Sequence, residues 1–189
     1  MNFAIDAMAL AMPDVVGHPN RLPFHGVLTL VGVASQRSPS GARGHRVMLT
    51  RAAAEAALPS LLGMALDYVP ALDGHDARRK IGIISAADIV AMPQSKTSNT
   101  TGQIAIGGYL FAHDFPDVVD EMRAQGGSTL GMSYEIANAR VPNQEALIWA
   151  VTSFTFTGAA ILRRDKAAYP QTWIALDNFN AIAQPAVEP

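Results

Sequence analysis

Two side chains in this sequence have the chemical types and the local settings that nucleophilic catalysis requires. Ser133 lies in the segment LGMSYEI, inside a predicted strand, and His75 lies in LDGHDARRKIG, a loop that runs into another strand. A serine hydroxyl is a poor nucleophile near neutral pH unless a base accepts its proton, and the intrinsic pKa of histidine suits that task. On neighbouring strands the two would form a serine hydrolase site. If they do not lie close together, Ser133 is an ordinary strand residue and His75 is a surface or structural histidine.

The other histidines and the basic run show no comparable pattern. Three histidines in the turn-rich N-terminal region are interpreted as structural or surface residues, a fourth as part of a helix entry, and the run RRK as a solvated loop. These residues are His18, His25 and His45, the pair His113-Asp114, and the run Arg78, Arg79 and Lys80.

The composition excludes several kinds of chemistry. The chain has no cysteine, so cysteine nucleophiles and thiolate metal sites are ruled out. It lacks the G-x-S-x-G turn of α/β-hydrolases and any glycine-rich phosphate loop. The predicted serine chemistry requires no metal and no organic cofactor.

Charge and hydropathy indicate what the chain contacts. A net charge of -2 gives no basis for nucleic-acid binding. There is no basic N-terminal signal and no apolar stretch of about 20 residues, so we expect no membrane association. The hydrophobic fraction of 49% is high beside a charged fraction of 16%, which favours a homodimer or a higher homo-oligomer.

The pattern of apolar residues predicts a mostly β protein of the α+β kind. Strands are expected over residues 24–34, 80–90, 102–111, 129–137 and 146–157, and helices after Thr50 and over 115–125. The segment after Gly158 is expected to be a short helix or an irregular return. We predict an antiparallel barrel or sheet with a few flanking short helices. One domain should cover residues 1–177, with its core at about 24–165, followed by a flexible tail or linker at 178–189.

The order of short motifs resembles that of a known protease family. Leu49-Thr50 opens a helix, GHD precedes a basic stretch and an Ile-Gly strand, and GYLF, LGMSY and a late Gly-Ala follow within residues 45–165. This series is similar to the tailed-phage prohead proteases, which share their fold with the herpesvirus assemblins. The resemblance implies an assemblin-like fold with Ser133 as nucleophile and His75 as base.

The same resemblance implies the biological setting. Prohead proteases cleave scaffolding and major capsid precursor proteins, and often themselves, inside the immature shell. For this chain it therefore implies a serine endopeptidase that acts in the host cytoplasm, within the procapsid. Two alternatives stay open: a catalytically silent protein of this fold that acts as a capsid assembly or scaffolding factor, and an unrelated β-rich binding module.

The third catalytic member departs from the family pattern. Family members carry an acidic residue or a second histidine near the start of the late strand, where this chain has Val151-Thr152-Ser153. Val151 cannot orient an imidazole, a feature that favours the silent alternative. Thr152 is the first choice for the third member, with Ser153 as an alternative. Glu135 is another, because positions 133 and 135 share one face of a regular strand.

Two pairs of charged residues near these motifs are further candidates for the site. Asp73 and Asp76 are close to His75 in sequence, but closeness alone does not place a carboxylate correctly. Arg163 and Arg164 resemble the arginine pair with which assemblins help to form an oxyanion hole. A solvated basic patch is the alternative for that pair.

Overall fold

The computed structural model of this chain describes residues 8–9, 15, 17–92, 100–125 and 129–177. Strands dominate these ranges, which confirms the mostly β prediction. The strands are β1 (Met8–Ala9), β2 (Leu22–Val31), β3 (Arg46–Leu49), β4 (Ala65–Tyr68), β5 (Lys80–Val90), β6 (Gly102–Leu110), β7 (Leu130–Arg140), β8 (Ile148–Val151), β9 (Ser153–Arg163) and β10 (Trp173–Leu176). The helices are α1 (Arg51–Ala57), a 3₁₀ turn (Leu58–Leu61) and α2 (Pro116–Gln125). None of the helices described is long and apolar enough to cross a membrane.

The main sheet curls into a half-barrel. Its strand order is β10-β2-β6-β5-β4-β9-β7, and β1 adds to β5. All neighbours in it are antiparallel except β4 and β9, which run parallel. A second, two-stranded parallel sheet joins β3 to β8. The sheet is thus mainly antiparallel, as predicted, and the parallel pairs are β3 with β8 and β4 with β9.

Alternation along the strands separates an inner from an outer face. Met132 and Tyr134 of β7 pack into the apolar core together with Leu66 and Tyr68 of β4. Because successive strand residues point to opposite faces, the residues between them lie on the outer face. Burial of the inner face is the main favourable contribution to folding, since apolar area is removed from water there. The outer face of β4 and β7 is therefore free to carry polar groups.

The two helices pack against this sheet as their sequences suggest. Thr50 caps α1, its hydroxyl accepting a hydrogen bond from the Ala53 N–H (3.4 Å). Pro59 lies in the first turn of the 3₁₀ segment, where its missing N–H costs nothing. Helix α2 buries Val118, Val119 and Met122.

Several predicted boundaries needed correction. The predicted strand 146–157 is two strands, because the Thr152 N–H donates to the Arg140 carbonyl (3.0 Å) while β8 pairs with β3 and β9 with β7. Strand β9 continues to Arg163, where a helix or an irregular return was expected. Strands β3, β4 and β10 are only four residues long and were not predicted. The expected tail at 178–189 lies outside the described residues.

The segment after β9 returns to the edge strand β7 through Thr172. Its side chain is fully buried, and its hydroxyl accepts from the Met132 N–H (3.0 Å) and lies 3.2 Å from the Met132 carbonyl. It also lies 2.9 Å from the Tyr169 carbonyl. One hydroxyl therefore satisfies backbone groups on the outer edge of β7, one residue from Ser133.

Replacing Thr172 with valine should lower the free energy of unfolding by about 2 kcal/mol, because it leaves the buried Met132 N–H without its acceptor. Chemical denaturation of both proteins measures the change. Thr157→Val is the matched control, since Thr157 is exposed on β9. Equal stabilities of Thr172→Val and the control would contradict this role for the hydroxyl.

Candidate active site

A row of aligned residues crosses three adjacent strands on the outer face. Asp67 of β4 is in register with Ala160 of β9, and Ala160 is in register with Ser133 of β7. Residues in register on adjacent strands project to the same face. With about 4.8 Å between neighbouring strands, the backbones of Asp67 and Ser133 are about 10 Å apart. Ser133, a half-buried residue, therefore faces the same space as a carboxylate two strands away.

The middle strand of this row carries small residues that leave room above it. Gly158 is in register with Glu135, which lies two residues beyond Ser133 on the same face. A Cβ atom on Gly158 would lie 2.6 Å from Glu135 Oε2, too close for any other residue to be accommodated without a shift. Gly158 and Ala160 thus form a floor above which the Glu135 carboxylate lies.

His75 approaches this floor from the loop between β4 and β5. Its Nδ1 lies 3.2 Å from Glu135 Oε1 and 3.6 Å from Asp67 Oδ2. The three side chains are 28%, 30% and 0% exposed, respectively. Because Nδ1 faces the carboxylates, Nε2 is the ring nitrogen left to accept a proton from a nucleophile. In serine hydrolases, too, an acid lies on Nδ1 of the catalytic histidine.

Asp67 holds the part of the loop that follows His75. Its Oδ1 accepts a hydrogen bond from the Asp76 N–H (3.3 Å), directly after His75. Its Oδ2 accepts from Lys80 Nζ (3.2 Å) at the start of β5. Farther back in the loop, the Leu72 carbonyl accepts from the Arg163 N–H (2.7 Å), and Leu72 adopts a left-handed backbone conformation with φ of 52°.

The charges around Asp67 keep it ionised. Burial raises the pKa of this carboxyl, but the hydrogen bond and charge of His75, together with those of Lys80, more than offset burial. The pKa of Asp67 consequently lies below its ordinary value of 3.8. Near neutral pH, Asp67 is a carboxylate that only accepts hydrogen bonds.

The same three side chains are the ones that a metal ion would use. One ligand atom from each of Asp67, His75 and Glu135 lies within 4.8 Å of the others. The Lys80 ammonium, however, binds the Asp67 oxygen that faces His75. A cation there would meet a positive charge beside it. We therefore interpret the cluster as a hydrogen-bonded set rather than as a metal centre.

The structure brings Glu135 to His75 and leaves Thr152 elsewhere. The Thr152 hydroxyl donates to the Arg140 carbonyl (3.3 Å), and Ser153 is in register with Arg140. Arg140 is seven residues beyond Ser133 on β7, a separation of about 23 Å along an extended strand. Thr152, the predicted third member, and Ser153, its alternative, therefore lie beside Arg140 and far along β7 from Ser133. Asp73 and Asp76 are not the carboxylates that contact the imidazole.

The two arginines expected near the oxyanion differ in position. Arg163 is in register with the inward-facing Leu130 and forms a two-pronged ion pair with Asp165 (2.6 and 2.9 Å). Arg164 crosses the outer face, where a Cβ atom on Gly131 would lie 3.0 Å from the Arg164 Cα. Its guanidinium donates to the Leu130 carbonyl (3.4 Å). Both arginines border an open cavity of about 530 Å³ at the Leu130 end of β7.

The basic run before β5 is less solvated than predicted. Arg78 is 95% exposed, but Arg79 forms an ion pair with Asp117 of α2 (2.6 Å) and lies over the Tyr68 ring. The Tyr68 hydroxyl donates to Glu121 of α2. Arg79 and Tyr68 thus join the His75 loop to the helix.

The remaining histidines make contacts of the kind predicted for them. His18 accepts a hydrogen bond from the Asn20 N–H (3.1 Å), and His45 stacks on Trp149. His25 forms an exposed pair with Asp177, and His113 an exposed pair with Asp114 at 3.6 Å. None of these contacts involves Ser133 or His75.

Asp67 is the site residue that sequence reasoning missed. It belongs to a four-residue strand that the pattern did not reveal. The available signal was an acidic residue between Leu66 and Tyr68 in an otherwise apolar run, since a buried carboxylate is retained only with partners.

Comparisons of the chain with protein-family models, with curated proteins and with solved structures gave no match. The resemblance to prohead proteases and the assemblin-like character of the fold therefore stay predictions.

Replacing Asp67 with asparagine should lower the free energy of unfolding by about 2 kcal/mol at pH 7, because an amide binds Lys80 and the loop less strongly than a carboxylate. Since the folded-state pKa lies below 3.8, the wild-type advantage is fully present above that pH. It is lost as the pH falls through the folded-state value. Urea unfolding at several pH values measures this difference.

The matched control is Asp120→Asn, because the Asp120 side chain is 79% exposed on α2. It should leave stability nearly unchanged at every pH. A wild-type advantage over Asp67→Asn that is absent at pH 7, or that grows on acidification, would refute the assigned ionisation.

Proposed function

We propose that this protein is a serine endopeptidase in which Ser133 is the nucleophile, His75 the base and Glu135 the third member. The observation that carries the proposal is the 3.2 Å contact between His75 Nδ1 and Glu135 Oε1, on the sheet face that carries Ser133. A carboxylate on Nδ1 fixes the imidazole tautomer and stabilises the imidazolium that forms during turnover.

The proposed reaction gives each of these residues a step. Ser133 Oγ attacks the carbonyl carbon of the scissile peptide bond while His75 Nε2 takes the hydroxyl proton. The imidazolium then gives this proton to the leaving amine, the C–N bond breaks, and an ester to Ser133 remains. A water molecule, deprotonated by His75, attacks the ester and releases the acid and the free hydroxyl.

The negative oxygen of the tetrahedral intermediate needs donors close to Ser133. Of the two predicted arginines, Arg164 is the better placed, because its backbone crosses the outer face at Gly131, two residues from Ser133. Arg163 is already bound to Asp165. Backbone N–H groups supply the other donors in this proposal.

The proposed substrates come from the family resemblance. They are phage scaffolding and major capsid precursor proteins, cleaved inside the procapsid in the host cytoplasm, with self-cleavage as a further event. A homodimer or higher homo-oligomer belongs to the same proposal and is favoured by the apolar composition. The open cavity beside Arg164 adjoins the nucleophile strand and offers room for a substrate side chain.

The alternative is a catalytically silent assembly or scaffolding factor of the same fold. It was favoured by the apolar Val151 at the family's acidic position. Val151 is buried at the end of β8, in register with Leu49 of β3. Because carboxylates reach His75 from β4 and β7 instead, Val151 no longer favours the silent alternative.

A fluorophosphonate probe should label the wild-type protein at Ser133, because the probe traps a serine whose proton a base accepts. Ser133→Ala should abolish labelling, and it should also abolish cleavage of a co-expressed scaffolding protein. Ser153→Ala, a serine on the exposed face of β9, is the control and should label normally. Absence of both Ser133-dependent labelling and cleavage would favour the silent protein.

The identity of the third member is tested by Glu135→Gln. It should slow labelling of Ser133 by roughly 10²–10⁴-fold, because a neutral amide stabilises the imidazolium poorly and can impose the wrong tautomer. Thr152→Val should stay within about twofold of wild type, since the Thr152 hydroxyl and N–H both donate to the Arg140 carbonyl. A larger loss with Thr152→Val than with Glu135→Gln would reverse the assignment.

A further inference from the structure

Two carboxylates face the same nitrogen of the proposed base, which is an unusual charge arrangement. Asp67 Oδ2 lies 3.6 Å and Glu135 Oε1 3.2 Å from His75 Nδ1. Negative charge beside an imidazole favours its protonated form. In the proposed reaction, however, the imidazole must be neutral to accept a proton from Ser133.

Lys80 changes this balance at Asp67. Its Nζ lies 3.2 Å from the same Oδ2 atom that approaches His75, and Asp67 is fully buried. Lys80 is 34% exposed, so water weakens this attraction in part, but the carboxylate on which it acts is buried. Because Asp67 is shared in this way, part of its negative charge is offset by the ammonium group beside the same oxygen.

The same contact has a geometric consequence. Asp67 Oδ1 receives the Asp76 N–H while Oδ2 receives Lys80, so both oxygens of the carboxylate are fixed. Asp67 in turn sets the path of the loop immediately after His75. The ammonium group therefore acts on the proposed base through the carboxylate.

We infer that Lys80 is a positioning residue of this site: by offsetting the charge of Asp67 and orienting its carboxylate, Lys80 holds the His75 loop and leaves Glu135 to support the charge of the base. The inference rests on the proposed function and assigns a different role to each of the two acids. Asp67 serves the position of the loop, and Glu135 serves the charge of the imidazolium.

Other charged groups around His75 are already paired or lie farther along its loop. Asp76 accepts from the Arg78 N–H (2.9 Å), and Arg79 is bound to Asp117 of α2. The charged residues of the loop itself are Asp73, Asp76, Arg78 and Arg79. Those on the elements around it are Asp67 of β4, Lys80 of β5, Glu135 of β7, Arg163 of β9, and Asp117 and Glu121 of α2.

The test compares how the rate of Ser133 labelling by a fluorophosphonate depends on pH. Lys80→Met removes a positive charge, so the acid limb of the profile should move to higher pH by about half to one unit. Asp67→Asn removes a negative charge and should move it to lower pH. Lys80→Arg should restore the wild-type profile, and the double variant should fall between the single ones.

A second readout does not depend on activity. In a Ser133→Ala background, NMR titration of the His75 ring should show its midpoint moving upward in Lys80→Met and downward in Asp67→Asn. Lys166→Met, an exposed lysine after β9, is the control and should move neither readout. Circular dichroism confirms that each variant is folded.

The outcomes separate the two ideas. Labelling of Ser133 with an unchanged acid limb and ring midpoint in Lys80→Met would overturn the role of Lys80 and leave the peptidase proposal standing. Opposite NMR shifts without any labelling of the wild type would sustain the charge role of Lys80 and count against the peptidase. A uniform loss of rate at all pH values in both variants would show a structural role only, and would also overturn the inference.

Discussion

The buried carboxylate of Asp67 is the contact through which the sheet holds the proposed base. A fully buried acid is costly unless its charge is compensated, so Asp67 requires partners. It finds them in the loop that follows β4: the Asp76 N–H, the His75 ring and Lys80 at the start of β5. The need to satisfy one acid thereby determines the path of the loop, and with it the position of the imidazole.

The sheet makes this arrangement possible by separating its faces. The inner face of β4, β9 and β7 is committed to the apolar core, and its burial stabilises the half-barrel. The outer face is left to polar residues from two strands that are not sequence neighbours. Small residues at 158 and 160 on the strand between them keep the space open, since a larger residue at 158 would displace Glu135.

The position of the acid explains how the chain can depart from the prohead-protease pattern and still support a base. What the chemistry requires is a carboxylate on Nδ1, not a carboxylate at one place in the chain. In the proposed site Glu135, on the same strand as Ser133, supplies that carboxylate. Arg79 adds a second link, because it joins the base loop to α2 through Asp117 and through the Tyr68 ring.

Much of the fold could be read from local patterns. The long strands β5, β6 and β7, the helix α2 and the cap at Thr50 follow from alternation, glycine stops and capping chemistry, which act over a few residues. The four-residue strands could not be read in this way, because so short a segment contains too little alternation and gains its partners from remote parts of the chain.

The candidate site, too, could be predicted from the sequence only in part. Residue type and spacing by themselves determined that Ser133 and His75 are the pair to consider, and that Glu135 shares a face with Ser133. Only the tertiary structure decided which acid meets the imidazole, because that depends on the register of β4, β9 and β7 and on the loop path that Asp67 imposes. Register is a property of strand pairing across the whole sheet, and no local stretch of the chain contains it.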